Sequence, residues 1–233
     1  ADKRPGMNSA ISGLKMVTVI TKVSRTVMPA IVPTGQVFAH KLGVFASDDK
    51  GFFAFLSCSI HYWWAASRAS TMKADLNYSP SDVFETLPLP DITENLRNLG
   101  ERLEKSRQRI MLSRQIGLTK AYGLAFDSAC KEADVIDLRE IHKMIDYAAI
   151  RAYGWDDMIE RGLDHGFHPA GKYTRYTIGP WAQREVLDRL LELNHARYAE
   201  EVAAGLHEKG AKKKGARAKP VPTEESGATL FDL

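Results

Sequence analysis

The segment YSPSDVFETLPLP, at residues 78–90, marks the main division of the sequence. Ser79 is expected to cap a short helix that begins at Pro80, because the fixed φ of proline suits the first helical position and its missing N–H is no loss there. Val83 and Phe84 give this helix an apolar side, and the two prolines of the LPLP sequence end it. The residue pattern alone therefore indicates a compact junction between two parts of the chain.

The part before the junction is typical of short strands followed by a helix. Apolar, β-branched runs separated by turn residues predict strands at residues 16–22, 27–32, 36–38 and 42–45. From Phe52 to Trp63 the apolar residues fall at helical spacing, which predicts one buried helix that ends near Arg68. Residues 68–78 are polar and short-sided, and they are predicted to form a loop.

The part after the junction is predicted to be helical. Caps and apolar spacing predict helices at residues 91–115, 117–126 and 137–152, and a last helix that begins at Pro180. Residues 162–171 are predicted to form a loop and residues 173–178 a short extended segment. The buried face of the last helix is expected to hold Trp181, Leu187, Leu190, Leu191, Asn194, Tyr198 and Val202.

The predicted fold class is α+β, with a small β-rich domain that contains a buried helix, a helical bundle or scaffold, and a basic tail. The tail is predicted to be disordered because residues 207–222 are rich in Lys, Ala and Pro and have no apolar periodicity. The chain ends in an apolar tip, ATLFDL, at residues 228–233. We therefore predict three regions, at residues 1–90, 91–206 and 207–233.

Charge is distributed unevenly along the chain. The net charge is +3 over 233 residues, but residues 1–78 contain nine Lys and Arg against four Asp, a net of +5. Residues 79–206 have a net charge of −4. A basic first part beside an acidic second part is the pattern expected of a polyanion-binding face supported by a scaffold.

Two polar segments of the basic part carry side chains suited to phosphate oxygens and base edges. One follows the first predicted strand and the other is the predicted loop at residues 68–78. The candidate DNA-binding residues are Lys22, Ser24, Arg25, Lys41, Arg68, Ser70, Lys73 and Asn77. Among them, Lys22 and Lys73 are predicted to contact phosphates, and Arg25 and Arg68 to contact base edges.

Segment 78–90 resembles the Y-x-P-S-D-V-F-E-T-F-P-x-P motif of the large adenine-specific DNA methyltransferases found in Type IIG and Type IIL restriction-modification enzymes and in DISARM and BREX phage-defence systems. Leu87 stands where the family usually has phenylalanine. Further similar segments occur in the same order as in the family, at residues 23–45, 55–64, 117–122, 138–157 and 185–201. The resemblance covers most of residues 1–206.

The resemblance implies that residues 1–90 form a DNA target-recognition domain that follows a catalytic domain in a longer parent chain. Double-stranded DNA, that upstream methyltransferase domain and other defence-system subunits are then the expected partners. The chain contains no [N/D]-P-P-[Y/F] motif and no glycine-rich cofactor loop after a strand. We therefore expect no cofactor and no methyl transfer in this chain alone, with S-adenosylmethionine bound by the catalytic domain of an adenine-specific parent enzyme.

Other interpretations stay open at this point. A protein-interaction adaptor with a basic binding face and a helical assembly region would show the same charge pattern, and RNA binding is a weaker third possibility. The scattered His and Asp residues between His142 and His168 match no metal-binding spacing, so no metal is expected. Cys58, Cys130 and His61 are expected to be packing residues. Without a signal peptide or an apolar run of about 18 residues, the chain is expected to be cytoplasmic.

Overall fold

The computed structural model describes residues 5–72 and 75–206. These residues form an α+β fold of helices and small antiparallel sheets, which confirms the predicted class. They fall into two units, one that ends at Asn194 and one that begins at His195. The predicted basic tail at residues 207–233 and the predicted phosphate contact Lys73 lie outside the described residues.

The first sheet has β1 (Met16–Thr21) at its centre, between β3 (Ala30–Pro33) and β4 (Leu42–Phe45), and all of its pairs are antiparallel. Both faces of β1 are buried. Val17 and Val19 contact Phe38 and the helix α1 (Pro5–Ile11), while Ile20 on the opposite face belongs to the main core. Burial on both faces fits the β-branched residues of β1, of which Thr18 is polar and donates from its hydroxyl to the Ser47 carbonyl.

The second sheet joins β2 (Val23–Ser24), β6 (Asp75–Asn77) and β5 (Ser70–Met72), in that order. The prediction of a loop at residues 68–78 is therefore wrong, because most of this segment pairs as β5 and β6. A third pair of strands, β7 (Gly166–Ala170) and β8 (Tyr173–Thr177), forms a hairpin where only β8 was expected as an extended segment. Polar strands of this kind lack the apolar alternation on which sequence prediction depends.

Helices surround these strands. Their bounds are α2 (Lys50–Leu56), α3 (Ser59–Arg68), α4 (Glu94–Arg114), α5 (Leu118–Ala125), α6 (Ala133–Ala152), α7 (Asp156–Arg161) and α8 (Pro180–Ala203). One core spans these elements from Ile20 to Leu190 and so includes residues on both sides of the junction. The division at residue 90 stays a prediction about function. No helix of the described residues is long and apolar enough to cross a membrane.

The single helix predicted across residues 52–68 is two helices, with a break at Ser57 and Cys58. Ser57 ends α2, and its hydroxyl donates to the Phe53 carbonyl. Cys58 caps α3, where its Sγ accepts from the His61 N–H. The Ser59 N–H donates to the buried carboxylate of Asp146 at 2.6 Å. The break depends on this tertiary contact, which apolar spacing does not reveal.

Segment 78–90 contacts several elements, as expected of a junction. Its first turn, Pro80–Phe84, is π-helical, and the Glu85 N–H donates to the Pro80 carbonyl at 3.0 Å. Three side chains from elsewhere donate to its carbonyls: Trp64 to Val83 at 2.9 Å, Tyr153 to Pro88 at 2.7 Å and Asn194 to Thr86 at 2.7 Å. Carbonyls that a broken helix leaves free are thereby satisfied by long-range donors.

Several local predictions differ from the structure. Residues 36–38 form no strand, and the strand predicted at 27–32 is shorter and begins at Ala30. The hydroxyl of Ser79 contacts the Ser81 hydroxyl and makes no cap, while the cap of α4 is Thr93. On α8, Leu190 is buried but Tyr198 and Val202 are 57% and 49% exposed. Apolar spacing indicates which face would be buried, but it does not show whether a neighbour covers that face.

Candidate nucleic-acid interface

The second sheet brings several of the candidate DNA-binding residues together. Ser70 pairs with Asn77 across β5 and β6, and the Asn77 amide donates to the Ser70 hydroxyl at 3.2 Å. Lys22 lies directly before β2, where its carbonyl accepts from the Tyr78 N–H at 2.5 Å. The Lys22 N–H donates to the Lys41 carbonyl at 2.8 Å. The backbones of residues that are up to 55 positions apart in the sequence therefore lie close together.

Strand register shows which side chains face outward. Directly paired residues point to the same side of a sheet, so Val23, Asn77 and Ser70 share one face and Ser24 and Leu76 share the other. Leu76 packs against the main core, whereas Val23 is 40% exposed and Ser70 is exposed. The outer face of this sheet, with Ser70 and Asn77 on it, is the candidate interface.

Ser24 lies on the inner side and makes a turn. Its hydroxyl oxygen accepts from the backbone N–H groups of Thr26 and Val27, at 3.1 and 3.2 Å. Val27 has a positive φ of 49°, a conformation that is unfavourable for a β-branched residue and that these hydrogen bonds support. The structure therefore gives the Ser24 side chain a local role, which is to shape the turn that presents Arg25.

Aromatic rings hold both of the candidate arginines. The guanidinium of Arg68, in the last turn of α3, lies 4.4 Å from the centre of the Trp64 ring. The guanidinium of Arg25 lies 5.8 Å from the centre of the Tyr173 ring. Both arginine residues are exposed. Contact with a ring face limits the orientations of a guanidinium while leaving its N–H groups available to a ligand.

The described cations of this surface make no ion pairs. In the described ranges, Lys22, Arg25, Lys41 and Arg68 have no carboxylate within 4.0 Å, but many cations outside the interface do. The paired cations are Lys50, Arg97, Lys105, Arg109, Arg114, Lys143, Arg151 and Arg189. Unpaired surface cations produce a positive potential that attracts polyanions.

One carboxylate lies on the same outer face, at Asp75. The Tyr173 hydroxyl donates to its Oδ1 at 3.3 Å. Tyr173 therefore contacts both Arg25 and Asp75 from the tip of the β7–β8 hairpin. Sequence reasoning missed this residue because it lies about a hundred positions from the other candidates; the Tyr-Thr-Arg-Tyr-Thr alternation after Gly171 was the available signal of a hairpin.

Cys58 and His61 are both fully buried and form no catalytic arrangement with a cleft. Burial raises the pKa of the Cys58 thiol well above its usual range and lowers the pKa of His61 to about 4. The His61 Nδ1 contacts the Leu56 carbonyl at 2.7 Å and its Nε2 contacts the Tyr78 hydroxyl at 3.0 Å. A carbonyl only accepts, so the neutral ring donates from Nδ1 and accepts at Nε2.

The acids and histidines considered as metal ligands are engaged elsewhere. The Asp146 carboxylate accepts from Ser59 and contacts the His165 Nε2 at 3.0 Å, and the His142 Nε2 contacts the Tyr122 hydroxyl at 2.6 Å. In residues 5–72 and 75–206, no three His, Cys, Asp or Glu side chains are grouped so that they could hold a metal ion.

Comparison with known proteins gives one informative similarity. No protein-family model matches the chain, and no curated protein matches it. A solved structure of the Type IIL restriction-modification enzyme MmeI in complex with DNA matches with a TM-score of 0.54 and 15% sequence identity. The match covers 85% of this chain and 24% of that enzyme. The chain therefore has a fold related to that of part of a restriction-modification enzyme and spans about a quarter of that enzyme's length.

Proposed function

We propose that this chain is the DNA-recognition part of an adenine-N6 DNA methyltransferase of a restriction-modification or phage-defence system. Under this proposal it positions duplex DNA, while methyl transfer from S-adenosylmethionine takes place in a catalytic domain outside residues 1–233. The observation that carries the proposal is the group of unpaired cations around the outer face of the second sheet. The related fold of an enzyme solved in complex with DNA supports it.

The geometry suggests distinct roles for these cations. Lys22 and Lys41, whose backbones are hydrogen-bonded to each other, would contact phosphates as flexible point charges, as would Lys73. Arg68 is held against the Trp64 ring, so its planar fork is oriented for a bidentate contact with a base edge, whereas Arg25, beside the Tyr173 ring, lies where its fork can hold a phosphate. Ser70 and Asn77 supply hydrogen-bonding groups on the outer face of the second sheet.

The first test is the salt dependence of duplex binding. We expect weak binding that falls steeply with salt, and Lys22→Ala should lower the slope of log affinity against log salt by about 0.9, since each lost phosphate contact releases one fewer counterion. Fluorescence anisotropy of a labelled duplex, measured at several salt concentrations, gives this slope. Lys105→Ala is the matched control, because it removes an exposed Lys that pairs with Glu101 on α4.

A second arm of the test separates base reading from general attraction. Duplexes selected from a random pool by the wild-type chain should bind Arg68→Ala about 5- to 150-fold more weakly, which corresponds to the 1–3 kcal/mol of a bidentate base contact. The affinity for unselected duplexes should fall much less when Arg68 is replaced by Ala. If Lys105→Ala and Lys22→Ala lose the same amount of duplex affinity, the interface is wrongly placed. An absence of duplex binding would favour the protein-interaction module.

A further inference from the structure

A cavity of about 210 Å³ opens beside the candidate interface. One wall is the turn at Arg25 and Thr26, the second is the end of α5 at Gly123 and Phe126, and the third is the β7–β8 hairpin with Arg175. The cavity is smaller than the roughly 300–1,000 Å³ of pockets that hold drug-sized ligands. Its size therefore suits a small group.

Arg175 is a buried cation without a carboxylate in direct contact, and the Asp146 carboxylate acts on it from a longer distance. Arg175 is 4% exposed, and within the described chain it forms no ion pair. Its guanidinium lies 3.7 Å from the centre of the Tyr62 ring and 4.6 Å from that of Phe126, and one Nη donates to the Thr26 carbonyl at 2.8 Å. Burial lowers the pKa of Arg175 to about 10, which still leaves the group charged at neutral pH.

The described contacts leave the remaining N–H groups of Arg175 free to bind a ligand. A guanidinium has five N–H donors, and the described contacts of Arg175 use one of them. In the part of the chain that the structure describes, the Ser106 hydroxyl is a side-chain polar atom that is fully enclosed and has no hydrogen-bond partner. No nitrogen of Arg175 is in that situation. The unused nitrogens of Arg175 are therefore not fully enclosed, and Arg175 lines both this cavity and one of about 10 Å³ beside Ser59 and His142.

Arg25 brings a second guanidinium to the same cavity. Its Nη2 lies 4.0 Å from the position that a Cβ would take on Gly123. Asp127 also lines the cavity, but its Oδ1 accepts from the Ala129 N–H at 2.9 Å. Two guanidiniums against one engaged carboxylate leave the cavity positive. An uncompensated buried charge is costly, so an anion that enters this space gains a strong interaction.

We propose that this cavity binds a phosphate group through the guanidiniums of Arg25 and Arg175. The guanidinium fork matches the oxygens of a phosphate or carboxylate bidentately, whereas the Tyr62 and Phe126 rings already contact Arg175 and are less available to stack on a base. The choice of phosphate over carboxylate rests on the proposed function, because Arg25 directly follows β2 of the candidate interface. The phosphate could belong to a DNA backbone or be free.

The test titrates inorganic phosphate into the 233-residue chain and follows binding by calorimetry, with acetate as the carboxylate comparison. Arg25→Gln should weaken phosphate binding at least tenfold. Gly123→Glu places a carboxylate beside Arg25 and should weaken phosphate binding similarly. Gly123→Ala is the matched control and should bind as the wild type does, because its Cβ only reaches contact distance. Failure of phosphate to bind, binding that both variants leave unchanged, or tighter binding of acetate would overturn the proposal.

A duplex with 5′-hydroxyl ends distinguishes the two phosphate sources. If phosphate competes with the duplex, and both variants weaken the binding of phosphate and of the duplex, a backbone phosphodiester occupies the cavity. If the variants weaken phosphate but not duplex binding, the ligand is a free phosphate group. A chain that binds phosphate in this variant-dependent way but binds no duplex would retain the cavity assignment and refute the DNA-recognition function.

Discussion

Gly100→Ala is expected to destabilise the fold by about 3 kcal/mol or more, which is the upper range for overpacking a core. Gly100 lies on α4 where that helix meets α2, and a Cβ added there would lie 1.9 Å from the Lys50 carbonyl oxygen and 2.6 Å from the Lys50 carbonyl carbon. These are backbone atoms that cannot rotate away. The two helices would have to separate, and the core around Phe53 and Leu103 would open.

A second glycine, Gly51, also lies at this close contact. A Cβ added to Gly51 on α2 would lie 2.4 Å from the Ile92 Cγ2 and 3.1 Å from the Arg97 nitrogen. Gly51 and Gly100 together therefore permit the close approach of α2 and α4, which outweighs the cost of glycine in a helix, about 1 kcal/mol each relative to alanine.

Urea unfolding followed by circular dichroism measures this effect. Gly123→Ala is the matched control, since Gly123 also lies within a helix but a Cβ there meets nothing closer than 4.0 Å. We expect it to stabilise the chain by about 0.5–1 kcal/mol through helix propensity. A Gly100→Ala chain as stable as the wild type would show that α2 and α4 are farther apart than described.

Much of the fold could be predicted because local chemistry determines it. The β-branched run of β1, the end of α3 at Arg68 and the proline-led start of α8 all appear where residue patterns indicate them. The break between α2 and α3 could not be predicted, because the Asp146 carboxylate that accepts from the Ser59 N–H is 87 residues away. Tertiary partners of this kind leave no local pattern in the sequence.

The candidate interface likewise has features that the sequence indicates and features that depend on tertiary packing. The candidate residues were chosen by residue type, and backbone pairing brings Lys22 beside Lys41 and Ser70 beside Asn77. The cavity beside it was not evident, because its buried cation, Arg175, comes from a hairpin that the sequence only partly indicated. An arginine amid tyrosine and threonine residues is typical of an exposed strand, and only packing against Tyr62 and Phe126 makes it a buried one.

The second large effect is expected on acidification. Burial lowers the pKa of His61 from 6.5 to about 4, and it lowers the pKa of His142 well below 6.5. Between pH 6.5 and 4 the unfolded chain therefore binds more protons than the folded chain, so stability is present at neutral pH and is lost as the pH falls. For His61 alone the loss reaches about 3 kcal/mol near pH 4.

Carboxylates with a lowered pKa account for little of a loss in this window, and among them Glu132, which accepts from Arg114 and has an ordinary pKa of 4.5, begins to lose its contribution at the lower end of the window. Asp49, Asp134 and Asp157 have a lowered pKa in the folded chain, and their contribution to stability is lost only as the pH falls below about 4. A fall in stability between pH 6.5 and 4 is therefore the expected result of the buried histidines. His142 adds to it in the same direction, so His61 variants should reduce the fall without removing it.

Urea unfolding measured at several pH values from 7 to 4 tests this expectation. His61→Gln can still donate to the Leu56 carbonyl and accept from Tyr78, but it does not titrate. We expect this variant to be less stable than the wild type at pH 7 and to lose less stability on acidification. Replacing the exposed His40 with Gln is the matched control, since it makes the same substitution on the surface. If the His61→Gln chain loses as much stability as the wild type, His61 is not protected from protonation in the folded chain.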